Sequence, residues 1–144
     1  MTKLSHKFAE FIPAVIEDGV LYVSLTYGTV THRCCCGCGR EVVTPLTPTD
    51  WKLIFDGKTV SLYPSIGNWN FPCRSHYWIR NNRVEWAEDW SEHEVNEAMA
   101  DDQIQKDGYY GSAKTGHSSK SSKGKARGKN GLLSKFRKRW LRNK

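Results

Sequence analysis

Four of the chain's five cysteines stand within five residues, in the run His32-Arg33-Cys34-Cys35-Cys36-Gly37-Cys38-Gly39, and the fifth opens Cys73-Arg74-Ser75-His76. Thiolates are soft ligands, and sulfur with imidazole around a tetrahedral centre selects zinc before other metals. In an extended strand side chains alternate faces, so His32, Cys34, Cys36 and Cys38 would point one way and Cys35 the other. The glycines permit the sharp turns by which a knuckle aims two thiolates at one ion. Cys73 and His76, three residues apart, supply a second half-site. The expected ligands of a Zn2+ ion are therefore four among Cys34, Cys36, Cys38, Cys73 and His76. Two other assignments stay open: Cys35-x-x-Cys38-Gly39 also reads as an ordinary knuckle, and His76 alone reads equally well as a satisfied core histidine. Free cysteines can be small buried hydrophobes, but that does not account for four of them in five residues.

The same residues carry a resemblance. His-x-Cys-x-Cys-Gly-Cys-Gly at 32–39, Ser-Leu-x-Pro-Ser-Ile-Gly at 61–67 and Cys-x-Ser-His-Tyr-x-Ile at 73–79 follow one another in that order. They resemble a family of short bacterial Cys/His proteins, a domain of unknown function described as metal-binding proteins or peptidases. Its members accompany ubiquitin-like proteins and their activating and conjugating enzymes. The similarity spans residues 18–87, with Cys35 where the family usually has proline. It implies a peptidase or isopeptidase that processes a ubiquitin-like protein, or removes it from its conjugates, by cleavage near the C-terminus.

Two partitions of the residues would serve that chemistry. In one, zinc keeps three protein ligands and an open position for an activated water, with Glu41 the nearest general base. In the other, Cys34, Cys36, Cys38 and Cys73 close a structural site, leaving His32, His76, Ser65 and Ser75 for acyl transfer. Ser75 and His76 are neighbours and would face opposite ways on a strand, so Ser65 with His76 is the expected catalytic pair. Ser65 also reads as a turn residue after Pro64. Neither HExxH nor GxSxG occurs. The rival class is a non-enzymatic zinc-stapled module that binds protein or nucleic acid. Trp69, Trp78, Trp86 and Trp90 would then form either a recognition surface or core.

Hairpins are the elements that must position these groups. An apolar run over residues 8–16, interrupted by Pro13, precedes the turn Asp18-Gly19 and a β-branched strand over 20–26, which predicts a first hairpin with Pro13 at an edge. Glu41 to Thr44 is extended. Residues 51–55 and 59–63 flank Asp56-Gly57 as a second hairpin, a Gly/Pro/Asn-rich loop follows over 64–72, and residues 76–80 and 84–86 flank Asn81-Asn82 as a third. The expected fold is mainly β: a small zinc-stapled sheet or open barrel of hairpins. Ser91 and Glu94 form a capping box, and Val95, Met99 and Ile104 mark a short C-terminal helix.

Charge divides the chain. After Gly111 come 12 of the 22 Lys and Arg and no acid, leaving 10 bases against all 15 acids in residues 1–111. The expected domain is residues 1–107, followed by a disordered Gly/Ser/Lys linker at 108–131 and a basic amphipathic segment at 132–144. In that segment Leu132, Leu133, Phe136 and Trp140 recur at helical spacing, which suits an anionic membrane or nucleic acid. With no secretory signal, no run of about 18 apolar residues and an odd number of clustered thiols, a cytoplasmic location is expected.

Overall fold

The computed structural model describes residues 2–112 of the 144. The expected linker from residue 113 and the basic segment at 132–144 lie outside them. The chain divides into two units, Met1–Asp89 and a second from Trp90 onward, so the expected domain over residues 1–107 spans both.

The first unit holds two four-stranded sheets. One comprises β1 (Ser5–Phe8), β2 (Val20–Ser24), β3 (Thr29–Arg33) and β4 (Glu41–Pro45); the other comprises β5 (Lys52–Phe55), β6 (Val60–Gly67), β7 (His76–Arg80) and β8 (Arg83–Trp86), each in sequence order. The mainly β fold follows from alternation. In β4, Val42 and Thr44 are buried while Glu41, Val43 and Pro45 are exposed, as expected of a strand with one face on a core. Leu21, Val23, Val30 and Val42 from the first sheet meet Val60, Leu62, Ile66, Tyr77, Ile79 and Val84 from the second in one apolar cluster.

The second and third predicted hairpins form as β5–β6 and β7–β8. In the latter turn Asn81 and Asn82 both take positive φ, 48° and 59°, which asparagine tolerates better than most side chains. The first predicted hairpin does not form. β1 runs parallel to β2, and a parallel pair requires a crossover. The apolar run after Phe8 is that crossover: Ile12 and Ile16 pack over Val20 and Tyr22, which explains why β2 is buried on both faces. Pro13 sits in this loop and not on an edge strand. The first true hairpin is β2–β3. The predicted 64–72 loop starts later, because β6 continues through a cis Tyr63–Pro64 bond to Gly67.

The second unit contains α1 (Glu92–Ser112), five residues longer at its C-terminal end than the expected boundary at 107. Ser91 and Glu94 exchange the two bonds of the capping box, at 3.3 and 2.9 Å. Its final turn carries the Ser112 hydroxyl back to the Gly108 carbonyl at 2.7 Å. No described helix is long and apolar enough to cross a membrane.

Candidate active site and metal cluster

The knuckle begins where β3 stops at Arg33. Cys34 N–H donates to the Arg40 carbonyl at 2.8 Å and Gly37 N–H to the Cys34 carbonyl at 3.1 Å, folding the loop back on itself. Gly37 and Gly39 take φ of 86° and 74°, a region costly for a side chain with a Cβ. The backbone is thus not extended here, and the turn gathers Cys34, Cys36 and Cys38 with Cys73 from the β6–β7 loop. Their four sulfurs all lie within 4.8 Å of one another. Individual separations are 3.3 Å for Cys34–Cys36, 3.9 Å for Cys34–Cys73 and 3.8 Å for Cys38–Cys73. A tetrahedral ion with metal–sulfur bonds of about 2.3 Å sets its sulfurs about 3.8 Å apart. The four thiols therefore fit a metal ion.

Cys35 is not one of them. It packs against the core, and burial pushes its thiol up to about 11 despite a hydrogen bond with Tyr77, so it has little thiolate to offer. Within the cluster, desolvation and neighbouring sulfurs push Cys36 up to about 12. Burial pushes Cys73 upward too, but hydrogen bonds from the Ser75 backbone and hydroxyl and from the Cys36 and Cys38 sulfurs bring it down to about 6. These contacts favour the thiolate form of Cys73, and a bound cation would deprotonate its thiol ligands outright.

A buried polar chain runs inward from the sulfurs. Cys34 Sγ lies 3.1 Å from Ser75 Oγ, which accepts from Asn68 Nδ2 at 2.9 Å, and Asn68 also reaches the Tyr77 hydroxyl at 3.4 Å. Tyr77 in turn bonds His32 Nε2 at 2.9 Å across the core. His32 is 1% exposed and burial lowers its pKa to about 4. It is a neutral core residue, neither ligand nor base, and Ser75 likewise belongs to this chain. Glu41 is exposed at the start of β4.

Ser65 and His76 come together on the other side of β7. Between the pairs Leu62–Ile79 and Ile66–Tyr77, β6 carries three residues where β7 carries one. Such bulges re-aim side chains. This one delivers Ser65 Oγ to 2.9 Å from His76 Nε2. His76 Nδ1 is 2.9 Å from the Glu88 carbonyl. A carbonyl only accepts, so Nδ1 carries the proton and Nε2 is the acceptor that faces the serine hydroxyl. His76 is 5% exposed; burial lowers its pKa, opposed by the Glu88 carbonyl and the charge of Asp89. The imidazole is therefore held neutral and in the tautomer of a general base.

Trp69 secures the ring from the side, its centroid 4.9 Å from that of His76 in an edge-on contact. Gly67, the register partner of His76, makes room for it, since a Cβ there would overlap the Trp69 indole. Of the residues singled out by sequence, Cys34, Cys36, Cys38 and Cys73 converge at one place and Ser65 with His76 at another. His32 and Glu41 join neither group, while Ser75 bonds the Cys34 and Cys73 sulfurs from beside the cluster. The Glu88 carbonyl was not foreseeable, since a main-chain acceptor leaves no mark on residue type. Trp69 stood out only as one of several tryptophans.

No similar curated protein and no similar solved structure is found for the chain. A family model, described as a bacterial ubiquitination-like system serine protease (BubE), matches residues 8–87. That span contains every cysteine, Ser65 and His76, and covers more than half of the sequence. With four clustered thiols whose spacing fits a metal ion and a serine bonded to a histidine inside the matched span, the chain belongs to the BubE family of bacterial ubiquitination-like systems.

Proposed function

We propose that this protein is a zinc-stapled serine hydrolase that cleaves the peptide, isopeptide or ester bond at the C-terminus of a ubiquitin-like protein. The observation that carries this reading is the 2.9 Å contact between Ser65 Oγ and the acceptor nitrogen of a histidine whose other nitrogen donates to the Glu88 carbonyl. His76 takes the Oγ proton as Ser65 attacks the carbonyl carbon, then returns it to the departing nitrogen or oxygen as the acyl–leaving-group bond breaks. Water, deprotonated by the same nitrogen, hydrolyses the acyl ester and frees Ser65.

Cys34, Cys36, Cys38 and Cys73 would hold a Zn2+ ion, which would supply folding free energy and tie the β3–β4 knuckle to the β6–β7 loop. Four thiolates would fill the tetrahedral shell of such an ion, which favours the serine route over a metal-bound nucleophile. The test is to incubate the wild type, Ser65→Ala and His76→Ala with a C-terminally extended ubiquitin-like partner and to measure zinc on each. Loss of cleavage in both variants with zinc retained is expected. Loss of zinc in His76→Ala would favour the metal route, and a folded, zinc-loaded wild type that cleaves no partner would favour a binding module.

A further inference from the structure

β5 pairs with β6 only from Phe55–Val60 to Lys52–Tyr63. β6 runs on to Gly67, with β7 beside it through Ile66–Tyr77 and Gly67–His76. The stretch 64–67, which carries Ser65, therefore has a strand along one edge and, among the described strands, none along the other. His76 approaches Ser65 from the β7 edge. The edge where β5 has ended is open for a carbonyl to reach Oγ. There, where the chain passes from β4 into β5, a groove of about 540 Å³ is lined by Leu46, Thr47, Pro48, Trp51, Lys52 and Tyr63 among others. Tyr63 is both the last residue of β6 paired to β5 and the second residue before Ser65, so the groove ends two residues along β6 from the nucleophile.

Unpaired strand backbone beside a largely apolar groove is the arrangement by which proteins recognise an extended peptide: main-chain hydrogen bonds hold it, and pockets take alternate side chains. We propose that the substrate chain around the scissile bond lies down as an added strand on the 64–67 edge of β6 and places an apolar side chain in the groove. The occupant is an unstructured tail and not a folded surface, because only a segment whose own backbone groups are free can pair in a lane that β5 closes at one end. This inference rests on the Ser65 hydrolase reading and assigns the peptide determinants of that site.

The test uses the full chain and an internally quenched decapeptide spanning the C-terminal processing point of the ubiquitin-like partner, with one backbone amide N-methylated at a time. Each methyl removes a donor without altering any protein residue. At one or more positions flanking the scissile bond kcat/KM should fall about tenfold, as expected for a lost main-chain hydrogen bond. Pro48→Trp, which fills the groove from an exposed position, should raise KM and leave kcat within about twofold if the groove only binds. Fluorophosphonate labelling of Ser65 runs in parallel. A labelled Ser65 with a flat N-methyl scan, or with the decapeptide uncleaved, overturns the added strand and leaves the hydrolase standing. An unlabelled Ser65 overturns both.

Discussion

At the scale of single residues, the proposed hydrolysis depends on a neutral imidazole, and burial of His76 favours that form. Its lowered pKa gives a definite sign to the pH dependence. Protonation removes the acceptor, so kcat/KM should fall on the acid side with an apparent pKa below the ordinary histidine value of 6.5. An acid limb above 6.5 in the free enzyme would contradict that environment. His76→Ala should reduce kcat by at least about a hundredfold, with zinc content unchanged by elemental analysis. Tyr77 lies in the core between His32 and Asn68. Tyr77→Phe leaves a buried imidazole nitrogen without its partner and should cost about 1–3 kcal/mol in denaturant unfolding.

At the scale of elements, the site depends on a strand that breaks its own register. Period-two alternation and the Asp-Gly and Asn-Asn turns made β4, β5–β6 and β7–β8 legible. The parallel β1–β2 pair was not, because a crossover lid and a strand of a hairpin can share one apolar composition, and only Ile12 and Ile16 closing over Val20 and Tyr22 distinguish them. Nor was the bulge at Tyr63 to Ser65, since Pro64 reads locally as the end of a strand. The cysteine spacing exposed the sulfur cluster, and the glycine turns expected there form at Gly37 and Gly39, so a bent knuckle and not an extended strand separates Cys35 from the other thiols. Gly67→Ala tests how much the elements hold the base. Its Cβ would overlap Trp69, so the variant should stay folded by circular dichroism, lose kcat, and move the acid limb upward toward 6.5 as His76 loses cover.

At the scale of the whole molecule, the cysteine cluster joins the β3–β4 and β6–β7 loops, and β7, which carries His76, begins three residues after Cys73. Removing zinc with a chelator, or Cys38→Ala, should therefore unfold or aggregate the first unit instead of only slowing it; a metal-free Cys38→Ala protein with native circular dichroism would refute the ligand set. The central claim is that Ser65 itself carries the acyl group. Rapid acid quenching of the enzyme with a C-terminally extended ubiquitin-like partner, followed by peptide mapping by mass spectrometry, tests it directly. An acyl ester on Ser65, absent in Ser65→Ala, is the predicted result. Undiminished cleavage by a zinc-loaded Ser65→Ala protein, with no acylated residue at any time point, would contradict it.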